Sequence, residues 1–507
     1  MAEMKHYTLG EYVKLLEEKG MLAEYNLQGK DGEEIKLLTY DSREVTQGTL
    51  FICKGAAFKA EYLKNSMNQG AVCYVSEKKY ELEKEVPYIL VKGIRDAMAV
   101  LANFFYNKPW EDLAVIGFGG TKGKSTSTYY MKAVVDDYLA AQDKPESAVI
   151  STIDIYDGKS KVESHITTPE AVELQMHLRN ALDCNIEYAE MEISSQALKY
   201  GRVDEMQFDV SVFLNISEDH ISPIEHPDFE DYFQSKMKMF EKSKIAVVNL
   251  DADYIDQILE ASKAAGEVVT FSTKNPEADY YAYNIHKEGK DIHFSVKCEA
   301  FDEEFVLTMP GFFNVENALG VVAASVKLGI PTEYIHSGLR RARSSGRMEF
   351  YHSKDHEVMA IVDYAHNKLS FEKLFSAMKE EFPDYGLVAI FGCPGKKSLL
   401  RRKYLGTIAG QYSNMVYLVA EDPGYEPVED ISKEIAQYVE AQHCPYKMIE
   451  DRGEAIKDAI ETAEGKTLLL VTGKGAETRQ KYGCEYLDCP SDVEYVQRYL
   501  AEYDSRH

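Results

Sequence analysis

A glycine-rich segment between an apolar strand and a helix constrains this chain more than any other feature. Residues 113–117 are predicted to form a short buried strand and residues 127–139 a helix. Between them stands Gly-Phe-Gly-Gly-Thr-Lys-Gly-Lys-Ser-Thr, residues 117–126. Glycines let backbone N–H groups converge on phosphate oxygens, and the helix N-terminus adds the positive end of its dipole. The unit therefore predicts an α/β fold with a phosphate site.

The residues of this loop suit a nucleotide. Lys124 would reach the terminal phosphates and Ser125 would bind magnesium. The strict formula for such loops places glycine five residues before Gly123, where this chain has Phe118, so the formula fails although the strand–loop–helix context is met. The alternative is a glycine-rich turn that binds nothing. Gly-Lys-Ser at a strand-to-helix junction favours the phosphate site.

Apolar strands and helices alternate from about residue 113 onward, which favours mostly parallel sheets with helices on their faces. Strands are predicted at 113–117, 188–193, 210–216, 245–250, 358–362, 387–391, 416–420 and 467–471. Residues 276–310 alternate differently and are predicted to form antiparallel strands at a domain edge. Breaks near residues 109–111 and 344–347 divide the 507 residues into domains 1–111, 112–345 and 346–507.

Composition excludes several classes of protein. A formal charge of −27 argues against broad nucleic-acid binding, which needs a basic surface. No apolar run reaches about 18 residues, so no membrane insertion is predicted. The start of the chain lacks the pattern of a signal peptide. The eight cysteines form no Cys-x-x-Cys pair, which disfavours structural zinc and favours reduced thiols in a cytoplasmic enzyme.

Polar side chains follow several predicted strands, where ligands bind in open α/β sheets. Glu192 closes one strand, Asp219 and His220 follow the next, and Asp363 follows a third. Magnesium takes oxygen ligands and keeps several waters, so one or two carboxylates beside phosphates suffice. Glu192 is the first candidate for a metal ligand and His220 the second. For each residue alone, a structural role such as a helix cap is an equal alternative.

A lysine lies on the apolar face of a predicted helix at residues 227–240. Phe229, Phe233, Met237 and Phe240 share one face at helical spacing, and Lys236 falls on the same face whereas Lys238 does not. Lys236 either extends to solvent along this face or lies in a site that lowers its pKa. A neutral amine adds carbon dioxide to give a carbamate, which is a carboxylate-like magnesium ligand. The local pattern leaves both alternatives open.

An ordered series of motifs spans nearly the whole chain. It comprises Tyr40-Asp41-Ser42-Arg43, Gly120 to Thr126, Thr167-Thr168-Pro169, Met191-Glu192-Ile193-Ser194-Ser195, Gly201-Arg202-Val203, Asn215 to His220, Asp231-Tyr232-Phe233 with Lys236, Asn314 to Ala318, Gly346-Arg347-Met348-Glu349, Asp363 to Asn367, and Gly473-Lys474-Gly475-Ala476-Glu477. In this order the motifs resemble those of the Mur ligases of peptidoglycan synthesis, most closely the members that add the third residue of the stem peptide.

The resemblance implies a three-domain α/β architecture. Its parts are an N-terminal domain for a uridine-nucleotide sugar (1–111), a central ATP-binding domain with a mostly parallel P-loop-type sheet (112–345), and a C-terminal Rossmann-like domain for the amino acid (346–507). It also implies an ATP- and Mg²⁺-dependent amide ligase that is monomeric and cytoplasmic. Its partners are UDP-N-acetylmuramoyl-L-alanyl-D-glutamate and a diamino acid, joined through an acyl phosphate in cell-wall synthesis, a process tied to cell shape and division.

The resemblance also implies roles for individual residues. ATP contacts are expected at Gly120, Thr121, Lys122, Gly123, Lys124, Ser125, Thr126, Asn317, Arg347 and Asp363. Magnesium ligands are expected at Ser125, Glu192, His220 and carbamylated Lys236, and with Lys124 the last three form the expected catalytic set. The UDP-sugar peptide is expected to contact Ser42, Thr167, Thr168, Ser194 and Arg202. The amino acid is expected to contact Arg402, Glu421, Asp422, Gly473 and Glu477.

One departure from the family pattern bears on the amino acid. Ligases that add meso-diaminopimelate carry Asp-Asn-Pro-Arg where this chain has Glu421-Asp422-Pro423-Gly424. Gly424 cannot grip a distal carboxylate, whereas Glu421, Asp422 and Glu477 favour a side chain that ends in an ammonium group. L-Lysine is therefore the predicted substrate, and meso-diaminopimelate or another diamino acid is the alternative.

Three rival classes of protein fit parts of the pattern. A folylpolyglutamate synthetase generally begins near its phosphate loop, and this chain has about 110 residues before it. A P-loop phosphotransferase has no need of the motifs at 363–367 and 473–477. A non-catalytic nucleotide-binding protein has no reason to keep Lys124, Glu192, His220, Lys236 and Arg347 together.

Overall fold

Three β-sheets follow one another along the chain in a computed structural model that describes residues 4–55, 58–164, 166–219, 221–222, 225–344, 346–396 and 399–507. The first unit is a five-stranded sheet of order β1-β5-β4-β3-β2 with three helices. Its elements are α1 (Leu9–Glu18), β1 (Leu22–Asn26), β2 (Leu37–Thr39), β3 (Thr49–Ile52), α2 (Ala60–Gln69), β4 (Ala71–Ser76), β5 (Tyr88–Val91) and α3 (Ile94–Phe105).

The central unit is an eleven-stranded sheet of order β16-β15-β14-β13-β12-β11-β6-β10-β7-β8-β9. Its elements are β6 (Ala114–Gly119), α4 (Lys124–Ala140), β7 (Ala148–Ile150), β8 (Asp154–Tyr156), β9 (Lys161–Glu163), α5 (Ala171–Asp183), β10 (Tyr188–Glu192), α6 (Ser195–Lys199), β11 (Phe208–Phe213), α7 (Phe229–Met237), β12 (Ser243–Asn249), α8 (Ile255–Ser262), β13 (Glu267–Ser272), β14 (Tyr280–Glu288), β15 (Asp291–Lys297), β16 (Asp302–Leu307), α9 (Phe313–Lys327) and α10 (Thr332–Arg341), with short 3₁₀ helices at Pro109–Glu111 and Phe240–Lys242.

The third unit has a six-stranded sheet of order β17-β18-β22-β19-β20-β21 and a separate two-stranded hairpin, β23–β24. Its elements are β17 (Glu349–His352), β18 (Val358–Asp363), α11 (Lys368–Glu381), β19 (Gly386–Phe391), α12 (Leu399–Tyr412), β20 (Met415–Leu418), α13 (Val428–Glu440), β21 (Tyr446–Met448), α14 (Arg452–Glu461), β22 (Thr467–Thr472), β23 (Arg479–Tyr482), β24 (Glu485–Asp488) and α15 (Asp492–Asp504).

The predicted mostly parallel α/β fold is confirmed. β6 pairs in parallel with β10 and β11, and β18, β22, β19, β20 and β21 also run parallel. Alternate residues of β6 enter two different buried clusters, Val115 on one face and Ile116 with Phe118 on the other. Burial on both faces explains the continuous apolar character of these strands. The predicted antiparallel strands at 276–310 are β14, β15 and β16, which end the central sheet.

The boundaries of two predicted helices differ from those observed. α4 begins at Lys124, three residues earlier than predicted, because Gly123 adopts a left-handed conformation (φ +85°) and ends the loop there. α7 covers only Phe229–Met237, and the chain then turns through the 3₁₀ helix at Phe240–Lys242. Among the described residues, none of the helices has both the length and the apolar character needed to span a membrane.

Candidate active site

The loop between β6 and α4 leaves no room for side chains at two glycines. A Cβ at Gly123 would lie 2.2 Å from Asn317 Oδ1, and one at Gly120 (φ +140°) would lie 3.1 Å from the carbonyl oxygen of Asn215. Both residues also need backbone angles that other residues rarely adopt. The glycines therefore serve the close approach of the loop to β11 and α9.

Hydrogen bonds to the segment after β11 fix the loop. The Lys122 N–H donates to Asn215 Oδ1 at 2.8 Å, and the Asn215 amide donates back to the Lys122 carbonyl at 3.0 Å. Thr121 Oγ1 accepts from the Ser217 N–H at 3.0 Å and lies 2.9 Å from the Tyr232 hydroxyl. Lys124 Nζ donates to the carbonyls of Gly120 and Thr121, at 3.0 and 3.2 Å. The loop is thus preorganised, and its lysine is held by its own backbone.

Lys236 is buried beneath this loop. Its side chain is 2% exposed, and Nζ donates to the Gly120 carbonyl at 2.7 Å and lies 4.9 Å from the centre of the Tyr232 ring. Burial, together with the neighbouring Lys124 charge, holds the pKa of Lys236 well below its usual range. Of the two alternatives for this lysine, extension to solvent is excluded. Lys238, by contrast, is exposed.

A cavity of about 180 Å³ borders the phosphate loop and gathers several of the predicted residues. Its lining comprises Thr121, Lys122, Gly123, Lys124, Ser125, Thr126, Thr152, Thr167, Glu192, Arg347, Tyr364 and His366. Glu192, at the end of β10 and 1% exposed, accepts a hydrogen bond from the Thr152 N–H at 2.8 Å. His220, the second predicted metal ligand, lies outside the described residues. Within the described ranges no group of three His, Cys, Asp or Glu side chains is arranged to hold a metal.

A second cavity, of about 100 Å³, lies between the central and third units. It is lined by Lys122, Asn317, Arg347 and Asp363 among others. Asp363 accepts hydrogen bonds from the backbone N–H groups of Met348 (2.9 Å) and Ala365 (2.7 Å), and burial raises its pKa. The structure therefore brings all three residues predicted to surround the nucleotide to one place. Thr152 and Tyr364 were not predicted as site residues. No local motif marks Thr152, whereas Tyr364 lies inside the motif at residues 363–367.

Four of the residues predicted to bind the UDP-sugar peptide meet behind Glu192. Thr168 Oγ1 donates to the Glu192 carbonyl at 2.8 Å and accepts from the Ser194 N–H at 3.0 Å. Arg202 donates to the Thr168 carbonyl at 3.1 Å, and Thr167 lies 3.2 Å from the Thr152 hydroxyl. Ser42 lies in the first unit, in the turn after β2.

The acidic residues predicted to contact the amino acid surround a buried lysine. Lys474 Nζ lies 3.1 Å from Asp422 Oδ1 and also forms an ion pair with Glu477. Gly473 packs against Glu421, because a Cβ there would lie 2.2 Å from a Glu421 carboxylate oxygen. Burial raises the pKa of Glu421 to about 7. Lys474 and Glu477 line a small cavity together with Arg347 and Tyr364, so this cluster adjoins the phosphate cavity.

The predicted contact of Arg402 with the amino acid stays a prediction. Its side chain is 2% exposed, and its guanidinium donates to Glu426 at 2.7 and 2.9 Å and to Glu434 at 2.5 Å. Glu434 lies on α13 and Glu426 just before it, so Arg402 is paired within the third unit. Arg401, the preceding residue, instead lies on the site side, 3.9 Å from Asp219.

Asp219 joins the phosphate loop to the third unit. Its Oδ2 lies 3.3 Å from Lys122 Nζ and accepts a hydrogen bond from the Asn367 amide at 2.5 Å. Asn367 caps α11 of the third unit, and Arg401 on α12 lies 3.9 Å from Asp219 Oδ1. Burial lowers the pKa of Lys122 to about 8, which the Asp219 charge opposes. Asp219 therefore holds the third unit against the loop that borders both cavities.

Replacing Asp219 with alanine is expected to weaken the binding of an ATP analogue about tenfold, because a hydrogen bond to a charged group contributes roughly 1.5–3 kcal/mol. A fluorescent ATP analogue titrated into the full chain measures this. Asp204→Ala is the matched control, since Asp204 pairs with Lys242 outside both cavities. Equal affinity of the two variants would contradict a role of Asp219 in completing the nucleotide cavity.

Comparison with known proteins agrees with this arrangement. Residues 119–325 match the family model described as "Mur ligase middle domain", and residues 346–475 match "Mur ligase, glutamate ligase domain". The chain is 38% identical to a UDP-N-acetylmuramoyl-L-alanyl-D-glutamate--L-lysine ligase of Enterococcus faecalis, over 88% of each chain. It is 31% identical to a UDP-N-acetylmuramyl-tripeptide synthetase of Lactobacillus acidophilus, over 98% of each chain. The solved structure of a UDP-N-acetylmuramoyl-L-alanyl-D-glutamate--2,6-diaminopimelate ligase shares the fold, with TM-score 0.65 and 23% identity over 98% of this chain and 100% of that one.

Proposed function

This chain belongs to the Mur ligase family of ATP-dependent ligases, and from that premise we propose that it adds L-lysine to UDP-N-acetylmuramoyl-L-alanyl-D-glutamate. In this reaction a carboxylate oxygen of the D-glutamate attacks the γ-phosphorus of ATP, and ADP leaves. The lysine amine then attacks the acyl carbon, loses a proton, and displaces inorganic phosphate. The product is an amide.

One observation carries the proposal: a continuous site joins a phosphate loop to an acidic cluster that already holds an ammonium group. Arg347 and Tyr364 line both the cavity at Lys124 and the one at Lys474. A phosphorylated carboxylate at the first and an amine at the second would therefore meet across these two side chains. Such a reaction depends chiefly on positioning and on stabilising negative charge.

The residues near the loop fit a magnesium ion. The buried carboxylate of Glu192 and the hydroxyl of Ser125 line one cavity, and magnesium accepts such oxygens together with phosphates and water. We assign Ser125, Glu192, His220 and carbamylated Lys236 as its ligands. Bound there, the ion would offset the repulsion between ATP and the substrate carboxylate. Lys124, Arg347 and the loop N–H groups stabilise the same charge from the protein side.

The surroundings of Lys236 support the proposed carbamylation. Carbon dioxide reacts with the neutral amine, and the lowered pKa of Lys236 keeps that form available near neutral pH. The resulting carbamate is anionic. The neighbouring Lys124 ammonium, which repels the protonated form of Lys236 and so lowers its pKa, would attract the carbamate. Protonation at low pH removes the nucleophilic lone pair, so activity is expected to fall on the acid side.

The choice of L-lysine rests on charge. Asp422 and Glu477 form ion pairs with the Lys474 ammonium, so their carboxylate oxygens are placed to bind the ammonium group of a substrate as well. Gly424 (φ +59°) offers no side chain to a distal carboxylate, and arginine there would be strained. The distal carboxylate of meso-diaminopimelate would instead lie against the carboxylates of Asp422 and Glu477, which repel it. Of the predicted contacts, Asp422 and Glu477 thus support lysine.

We further propose that the three sheets correspond to domains 1–111, 112–345 and 346–507, of which residue 345 lies outside the described ranges. The first would hold the uridine nucleotide with Ser42, and Thr167, Thr168, Ser194 and Arg202 would position the attached peptide. Asn317, Arg347 and Asp363 would surround ATP. The enzyme would act as a cytoplasmic monomer.

Phosphate release measured with ATP, the UDP-linked dipeptide and a panel of diamino acids tests the function. The kcat/KM for L-lysine is expected to exceed that for meso-diaminopimelate at least about a hundredfold, because the latter places a carboxylate against acids. Faster turnover with meso-diaminopimelate would refute the specificity and leave the ligase class intact. Absence of turnover with every amine would refute the enzyme activity.

A further inference from the structure

A separate cavity lies beyond Lys474, between the β23–β24 hairpin, the start of α14 and the start of α15. Its volume is about 200 Å³. The lining residues are Glu450, Asp451, Arg452, Lys474, Glu477, Gln480, Tyr482, Leu487, Asp488, Cys489, Pro490, Asp492 and Tyr495. We call it the outer cavity. None of the reaction steps above uses it.

Lys474 and Glu477 form the wall between the outer cavity and the reaction site. Both residues line the outer cavity and also the small cavity shared with Arg347 and Tyr364. The Lys474 side chain is almost fully buried, and its partners Asp422 and Glu477 hold it in place. Lys474 and Glu477 therefore separate the two spaces.

A buried acceptor faces the outer cavity. Gln480 is 8% exposed, and its Nε2 lies 3.5 Å from the Tyr482 hydroxyl. Its Oε1 has no hydrogen-bond partner within the part of the chain that the structure describes. A buried amide oxygen without a partner costs free energy, which a ligand that donates a hydrogen bond would recover.

The charges around the outer cavity select a cation. Five carboxylates line it against two cationic side chains. Arg452 is occupied by a two-point pair with Asp492, at 2.9 and 2.6 Å, and Lys474 by Glu477. Three further carboxylates, those of Glu450, Asp451 and Asp488, lie at the exposed rim, and of these Asp451 caps α14. The rings of Tyr482 and Tyr495 supply apolar walls for an aliphatic stem.

We propose that the outer cavity binds the free diamino acid before it enters the reaction site. This inference rests on the proposed function, because it takes the substrate to be an amino acid with a second ammonium group. The rim carboxylates attract the cation, the Gln480 carbonyl accepts a hydrogen bond from an ammonium, and Lys474 separates this bound form from the acyl phosphate. The outer cavity is thus an entry site that discriminates by charge before the reaction.

The test uses variants of the exposed rim, which should not disturb folding. The double variant Glu450→Gln with Asp488→Asn is expected to raise the KM for L-lysine about fivefold, with kcat and the KM for ATP unchanged. Gln480→Leu keeps the side-chain volume and removes the acceptor, so the KM for L-lysine is expected to rise about threefold. Glu485→Gln, an exposed acid on the same hairpin that does not line the cavity, is the control.

Calorimetric titration of the full chain with L-lysine alone gives a second measurement. Weaker binding by the rim variant than by Glu485→Gln supports the entry site. A KM for L-lysine within twofold of wild type in both the rim variant and Gln480→Leu would overturn it, while the ligase activity would stand. If wild type turns over no amine, the proposed function fails instead, and the calorimetric comparison still decides whether the outer cavity binds L-lysine.

Discussion

Lys236→Ala is expected to lower kcat at least about a hundredfold, the scale of a single electrostatic contact to a reacting group. The KM for the UDP-linked dipeptide should change little, because Lys236 lies under the loop and the carbamate would act on the metal and not on the substrate directly. Phosphate release with all three substrates saturating measures the effect. The alternative, a purely structural lysine that supports Gly120 through its 2.7 Å hydrogen bond, predicts a lower unfolding temperature with a smaller loss of rate.

Chemical rescue separates these two roles. Formate or acetate supplies the carboxylate that the carbamate would provide, and either is expected to restore part of the activity of Lys236→Ala. A structural lysine would not be replaced by a small anion. Lys238→Ala is the matched control, since Lys238 is two residues away, at the C-terminal cap of α7, and exposed, and its activity should equal that of wild type. Unchanged activity of Lys236→Ala would refute a role in the metal site.

The local sequence pattern could not decide the role of Lys236, and the structure shows why. Helical spacing placed it on the face of Phe233 and Met237, which is compatible with a lysine that reaches solvent. What buries it is the Gly120 carbonyl, 116 residues away in the chain. That contact depends on the packing of α7 against the β6–α4 loop, and helix periodicity carries no information about it. The family resemblance predicts a metal-site role for Lys236, which the local pattern could not do.

The ion pairs of Arg402 could not be predicted from the sequence. Arg401 and Arg402 are adjacent, and successive residues on a helix point about 100° apart, so the two side chains meet different neighbours. Which carboxylates Arg402 meets depends on how α12 packs against α13, where Glu426 and Glu434 pair with its guanidinium. Strands, by contrast, were predicted to within a few residues because burial on both faces leaves a continuous apolar run. Contacts between units, such as that of Asp219 with Asn367, have no local signature at all.

Lys124→Met is expected to abolish acyl phosphate formation, with kcat/KM for ATP lowered about a thousandfold. Lys124 lies at the first residue of α4, where its ammonium and the helix N-terminus would act together on the terminal phosphates. Its present partners, the carbonyls of Gly120 and Thr121, are weak enough for a phosphate to replace. Methionine keeps most of the side-chain length, so the loop should fold and the loss should reflect charge alone.

Lys122→Asn supplies the comparison within the same loop, because asparagine keeps a polar side chain there and removes the charge. Lys122 forms an ion pair with Asp219, which faces the third unit. Loss of the Lys122 ammonium is expected to lower kcat/KM for ATP less than about tenfold. Trapping the acyl phosphate of the UDP-linked dipeptide with tritiated borohydride, which reduces it to a labelled alcohol and releases phosphate, distinguishes the two lysines directly. Trapping by Lys124→Met at the wild-type level would show that the loop is not the γ-phosphate site. An equal loss of trapped acyl phosphate in Lys124→Met and Lys122→Asn would mean that Lys122 also contacts the phosphates. Loss of its ion pair with Asp219 alone would have a smaller effect.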